Sequence, residues 1–360
     1  MTGTREDYLD QIRQGGLDLP PELAAAFASV PREAFVPDGF QRRDGSWVRP
    51  ADPDFLGIVY SDDVLITKVD GRMPISSSSQ PSLMAIMILA LRVKPGLRVL
   101  EIGAGTGYNA ALLASLGATI TSIDVQEDVA VRARSALARA GIAGVRVEHA
   151  DGYLGVPGSH FDRVIVTVGV GGVSPHWLDQ LAPGGFVLAP VVHAGTHPVL
   201  RISPGRPVTA RAVCGAGFMQ ASGPLGATFA DAFPAPATAM AELVERIPAR
   251  YDPALTEFPY RDLWYAAGAW NRRASHAAVP DRPQSCLALL DGSRSGGAVI
   301  PPDGSVWAGG AQADDFTEAA AGILDRWEAA ECPPMQAWRV TLAEAGDPRT
   351  PIWVPQRWQL

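Results

Sequence analysis

Cysteine is scarce in this chain. The 360 residues hold three, Cys214, Cys286 and Cys332, widely spaced and with no C-x-x-C pair. That excludes a disulfide framework and a thiolate zinc cluster, and it suits a reducing compartment. Basic clusters are missing too. The formal net charge is -8 and no run of Lys and Arg offers the phosphate grip that nucleic acid demands, so a nucleic-acid partner is not expected. No apolar run approaches the ~20 residues of a membrane-spanning helix. The longest, from Leu83 to Leu91, is about half of that. The opening MTGTREDYLDQIRQ is charged and lacks the apolar stretch of a secretory signal. The expected setting is therefore the cytoplasm, away from membranes. There is no internal repeat.

What is present is a regular alternation in the middle of the chain. RVLEI (98–102), TITSID (119–124), VRVEHA (145–150), FDRVIVTVGV (161–170) and GGFVLAPVV (184–192) read as strands. YNAALLASLG (108–117), EDVAVRARSALARAG (127–141) and PHWLDQLA (175–182) read as helices, the first two stopped by glycine. Apolar strands alternating with helices predict an α/β fold with a doubly wound parallel sheet, covered on both faces. Ligands bind such sheets at the carboxyl ends of the strands.

The loops there form a pattern. EIGAGTGY (101–108) places Gly103, Gly105 and Gly107 after a strand that ends in Glu101. The second strand ends in Asp124, suited to both hydroxyls of a ribose. The third is followed by Asp151 and Gly152, where an acid can hold an adenine amino group. A dinucleotide site requires G-x-G-x-x-G and a helix N-terminus facing a pyrophosphate. Here the spacing is G-x-G-x-G, and Glu101 would repel a pyrophosphate while favouring the positive charges of S-adenosylmethionine. That cofactor is the expectation, with a dinucleotide or a purely structural sheet as alternatives.

Upstream, GRMPISSSSQPSLMAIMILAL (71–91) sets four serines before an apolar helix that begins near Pro81. Proline suits the first helical turn, and a preceding Ser or Gln can cap it. A serine run is ordinarily a flexible loop. Beside a nucleoside site it becomes a candidate cover for the pocket.

VPREAFV (30–36), ISSSSQPS (75–82), VLEIGAGTGYNAALLA (99–114), DGYLG (151–155), FDRVIVT (161–167) and PGGFVLAPV (183–191) together resemble the protein-L-isoaspartate (D-aspartate) O-methyltransferase family. The resemblance covers residues 25 to 224. It implies a Rossmann-like methyltransferase core that uses S-adenosylmethionine to esterify a peptide carboxylate. The family's active-site serine falls on Ser79, and Ser77 takes its threonine position. Carried over likewise, the cofactor set is Ser77, Glu101, Gly103, Gly105, Gly107, Asp124, Asp151, Gly152 and Thr167. The ester so made cyclises to a succinimide, which opens to aspartate or isoaspartate.

Three features depart from the family's repair enzymes: a longer segment at 41–73, VGVGGVSP (168–175) in place of an Ala- and Pro-rich loop, and about 130 further residues at the C-terminus. The long C-terminal extension, the longer 41–73 segment and the SSSSQPS form resemble a bacterial branch that matures ribosomally made peptides of the lanthipeptide type, methylating a normal Asp in a cyclised precursor. Isoaspartyl repair is the alternative; a small-molecule methyltransferase and an inactive cofactor-binding scaffold are weaker ones.

Three regions are expected: residues 1–92, a helical region with a loop, the serine run, that covers substrate and cofactor; 93–224, the Rossmann-like methyltransferase core; and 225–360, a smaller α+β accessory region for substrate recognition. In the last, AMAELVERI (239–247) reads as a helix, SCLALLDG and GGAVIPPDGSVWAGG as a hairpin, DDFTEAAAGILDRWEAA (314–330) as a helix and AWRVTLAEA (337–345) as a final strand, giving a small mixed sheet with a helix on it. Seven of nine tryptophans fall there, either as core or as a peptide groove. His193 and His197 form H-x-x-x-H, but Gly195 and Pro198 break any helix, so no metal is expected and His193 stays a possible substrate contact. Asp62 and Asp63 read as turn caps, with substrate binding as the alternative. His149 reads as a strand-end residue without chemistry.

Overall fold

The computed structural model describes the chain apart from residues 1, 15, 227–232, 235–236, 238–239, 241 and 280–284. The five expected core strands form a parallel array in the order Leu181–Pro190, Phe161–Val166, Arg98–Ile102, Thr119–Asp124, Val145–His149. Chain order reverses at Arg98–Ile102, which has the second strand on one side and the fourth on the other. The glycine-rich turn leaves the sheet at that switch point.

Side chains alternate across this sheet, as its pleat requires. Val99, Ile165 and Leu188 face the N-terminal helices, packing with Tyr8, Phe27 and Leu91. Leu100, Val164 and Val187 face the opposite way, into a core shared with Trp177, Leu287, Trp327 and Trp338. Both faces are thus buried, which explains why these strands are apolar throughout.

The sheet continues past the parallel array. Val199–Ser203, Thr209–Cys214, Arg339–Ala345 and Ile352–Gln359 add in antiparallel fashion to make nine strands. The final expected strand therefore belongs to the main sheet, not to a small one. It covers the backbone edge that Thr209–Cys214 would otherwise expose.

The second sheet of the C-terminal region has five strands, in the order Val244–Ile247, Val306–Gly309, Gly297–Ile300, Cys286–Leu290, Ala274–Ala277. Every pairing is antiparallel, so the sheet is not mixed. The helix Ala313–Ala329 packs on it. Residues 244–247 form a strand instead of the expected helix, because they pair with Val306–Gly309; Ala239 and Ala241 lie outside the described residues. The helix Glu257–Trp270 was not anticipated, although Tyr260, Leu263, Ala266 and Ala267 recur at helical spacing on its buried face.

At the N-terminus, helices Thr2–Arg13 and Pro21–Ser29 precede a four-stranded sheet in the order Trp47–Val48, Phe40–Gln41, Leu65–Asp70, Met73–Ser78. The serine run is thus a hairpin strand and not a loop. It pairs with Leu65–Asp70. The helix Pro81–Leu91 follows, apolar on every side because it buries Met84, Ala85, Met87, Ile88 and Leu91. Neither Ser79 nor Gln80 caps it. The cap comes from afar: Asp62 accepts the Ser82 N–H at 2.7 Å and the Gln80 amide at 2.9 Å.

Candidate functional site

A cleft of about 650 Å³ opens at the carboxyl end of the parallel array. The serine strand forms one wall, with Ser76, Ser77, Ser78 and Ser79 all lining it. Glu101, Gly103, Gly105, Asp124, Asp151, Gly152 and Thr167 complete the opposite side. Sequence reasoning selected all of these but Ser76 and Ser78, from loops up to 90 positions apart in the chain, and the fold brings them together around one space.

Gly107 is the exception, since it does not line the cleft. Its φ of 87° begins the helix Tyr108–Ser115, and a Cβ there would touch Ala133 at 3.4 Å. Its work is a left-handed turn and close helix packing. Gly105 has a different constraint. A Cβ on it would lie 3.1 Å from the Ser77 carbonyl oxygen, so the glycine lets the serine strand close onto the loop.

Glu101 is fully buried. Its carboxylate accepts the Asn109 amide at 2.7 Å and the Ser122 hydroxyl. Burial pushes its pKa up to about 7, against the pull of those two donors. Asn109 and Ser122 were not singled out in the sequence. Asn109 sits on the first turn of the helix after the glycine loop, and Ser122 pairs across the sheet with Glu101, so only the pairing register could have found it. Asp124 accepts the backbone N–H groups of Gly105 at 3.1 Å and Gln126 at 2.9 Å, while burial raises its pKa. Asp151 accepts the Tyr153 N–H at 2.9 Å. The Gly152 carbonyl takes the Trp177 indole N–H at 2.7 Å. The Thr167 hydroxyl donates to the Gly103 carbonyl at 2.6 Å, bracing the loop from beneath.

The serine hairpin is strapped across the cleft. Gln126 donates its amide to the Ile75 carbonyl at 3.0 Å, and Lys68 reaches Gln126 at 2.9 Å and Asp128 at 2.7 Å. Behind the serines, the buried Arg32 of VPRE donates to the carbonyls of Val59, Ser61, Asp63 and Ser79. The buried Ser78 hydroxyl has no partner among the described residues. Residues 218–222 and Leu225 close the far side.

Other candidates lie elsewhere. His193 is buried under the C-terminal region, with its Nε2 2.8 Å from the Tyr265 carbonyl, so it makes no cleft contact. His197 packs beneath Gly169. Burial lowers both imidazoles to about 4. His149 contacts the Val125 carbonyl at 3.2 Å, and Asp63 accepts from Arg43 at 2.8 Å. Trp327 and Trp338 are core residues, with Trp264, Trp270, Trp353 and Trp358 packed against that core, and none lines the cleft. Among the described residues no cluster of three His, Cys, Asp or Glu is placed to hold a metal, and no helix is long and apolar enough to cross a membrane.

The residues fit S-adenosylmethionine. Two buried carboxylates of raised pKa face a cleft whose walls approach through glycine, and anionic groups there match a cationic ligand. The comparisons agree. The model of the protein-L-isoaspartate(D-aspartate) O-methyltransferase family matches residues 3–205. A protein-L-isoaspartate O-methyltransferase of Thermotoga maritima is 38% identical over 173 residues, covering 47% of this chain and half of that protein. One of Gloeobacter violaceus is 36% identical over 186 residues, covering 51% of this chain and 79% of its own. A solved structure titled protein-L-isoaspartate O-methyltransferase shares the fold across 97% of this chain and 98% of its own, with a TM-score of 0.55 and 24% identity. The chain belongs to the protein-L-isoaspartate (D-aspartate) O-methyltransferase family, the S-adenosylmethionine-dependent protein carboxyl O-methyltransferases.

Proposed function

We propose that this chain methylates the carboxylate of an isoaspartyl residue in a peptide or protein. The observation that carries this reading is the serine strand, which faces Glu101, Asp124 and the glycine loop across one cleft and is pinned at Ser79 by Arg32. S-adenosylmethionine supplies an electrophilic methyl group. Glu101, Asp124, Asp151 and the Gly103–Gly105 turn would hold it, and Ser77 would border it. The acceptor carboxylate is ionised at neutral pH, its unperturbed pKa being ~4, so no general base is required. One of its oxygens bonds to the methyl carbon as the carbon–sulfur bond breaks, and no proton moves. Ser79 orients that carboxylate by donating its hydroxyl, and the apolar wall of Leu83, Met84 and Met87 excludes water. Catalysis on this reading is positioning.

A second reading has a normal Asp of a ribosomally made, cyclised peptide as acceptor. It is favoured by the SSSSQP form of the serine element and by the long 41–73 segment, which builds most of the four-stranded sheet. On this reading the 225–360 region adds contact area for the precursor. The two are separated by incubating the protein with S-adenosylmethionine and either a linear isoaspartyl peptide or an Asp-containing precursor, linear and cyclised. Methyl transfer to the isoaspartyl peptide is expected. Mass gain and methanol loss on the precursor alone would replace the first reading with the second.

A further inference from the structure

A second cleft, of about 510 Å³, lies behind the serine strand. Its floor is apolar, from Val36, Val129 and Ala136. Its rim carries Trp47, which is 48% exposed, with Arg49, Arg132 and Arg139. Asp38 is the single acid in its lining. Three guanidiniums against one carboxylate stand out on a chain of net charge -8.

The arginines differ in how far they are engaged. Arg132 pairs with Asp128 at 2.8 Å, and Arg139 donates to the Ala34 carbonyl at 3.0 Å. Arg49 uses its backbone N–H on Asp52, and its guanidinium has no hydrogen bond or ion pair among the described residues. Ser76, Gly105 and Thr106 line both clefts, so a single layer of residues separates this one from the cofactor cleft. An extended peptide advances ~3.3 Å per residue, so a residue a few positions from the acceptor spans the distance from one cleft to the adjoining one around this wall.

We infer that this cleft is a substrate subsite that takes an acidic stretch of the peptide flanking the acceptor carboxylate. The inference rests on the carboxyl-methylation reading above. An acidic segment is repelled by the net charge of the chain and attracted by this cleft, which sets where the flank lands. Trp47 supplies a rigid aromatic anchor beside the charges.

The test uses two labelled peptides that share one central isoaspartate and differ in their flanks, Glu in one and Gln in the other. Binding to the full chain is followed by fluorescence anisotropy, and methyl transfer is measured in parallel. The Glu-flanked peptide should bind at least about fivefold tighter at low salt, as a few partly exposed ion pairs allow. That margin should shrink as salt rises and collapse in Arg49→Gln. Equal affinity for the two peptides, or an undiminished margin in Arg49→Gln, overturns the inference. Charge-dependent binding with methyl transfer to neither peptide also overturns it, since the cleft would then serve a ligand other than the substrate. Methyl transfer to both peptides with equal affinity refutes the subsite alone and leaves the proposed function standing.

Discussion

The guanidinium of Arg32 donates a hydrogen bond of 3.0 Å to the carbonyl oxygen of Ser79, across 47 residues of sequence. The same group holds Val59, Ser61 and Asp63, and its ring neighbour Tyr108 lies 5.8 Å away. One buried cation therefore fixes the backbone of the candidate catalytic serine and of the loop that carries Asp62, the distant cap of the next helix. Arg32→Lys keeps the charge and loses the fork that reaches four carbonyls. Turnover should drop about tenfold or more, because small misplacements at a positioning site are costly. Affinity for S-adenosylhomocysteine should hold within about twofold. Equal losses in both would mean that Arg32 supports the fold alone.

Ser79→Ala separates orientation from binding. The Ser79 side chain lines the cleft, while its main-chain carbonyl makes the Arg32 contact, so the substitution leaves that contact in place. We expect kcat to fall by about one to two orders of magnitude, within the range of a lost positioning contact, with cofactor affinity retained. Unchanged turnover in a steady-state assay would remove Ser79 from the mechanism.

The contrast between these two residues explains what the sequence could convey. Ser79 was legible as a candidate because its neighbours carry a motif. Arg32 was visible only as a letter in VPRE, since its four partners are backbone carbonyls and any residue supplies a carbonyl. The parallel strands were legible because burial on both faces leaves apolar runs that end in glycine or acid. The last two strands hid their place, as the pairing of Arg339 with Arg211 joins segments more than a hundred residues apart, and no local pattern announces such a partner. The serine strand was misread as a loop because its alternation is not hydrophobic: it faces a cleft on one side and Leu65–Asp70 along its edge.

Glu101 predicts a proton linked to cofactor binding. In the free protein burial holds its pKa at about 7, so near neutrality the carboxyl is partly protonated. A cation entering the cleft favours the ionised form. Binding of S-adenosylmethionine should therefore release a proton at pH 6 to 7, and affinity should tighten as pH rises until it levels above about 7. Calorimetry in buffers of different ionisation enthalpy measures the release. Glu101→Gln should bind more weakly and without this pH dependence; a wild-type affinity that is flat from pH 6 to 8 would contradict the linkage.

His193 and His197 set the response to acid. Both are held near 4 by burial, below the ordinary value of 6.5. Between those values the unfolded chain binds protons that the folded chain refuses, so stability is complete above pH 6.5 and is lost as pH falls toward 4. A shift of this size corresponds to at most ~3 kcal/mol for each ring. Glu101 acts in the opposite sense. Its raised pKa adds stability that is full below 4.5 and lost as pH rises through 7. Burial raises Asp124 and Asp262 as it does Glu101 and lowers His276 as it does the other two histidines, and the large shifts of His193 and His197 tip the balance toward acid lability. The melting temperature should fall between pH 7 and pH 5 by several degrees. His197→Gln removes one titrating ring, and its neutral amide needs no desolvated charge, so its melting curve should depend less on pH over that interval. A variant that melts lower at every pH but with the wild-type slope would show that His197 stays neutral in both states and that acid acts elsewhere.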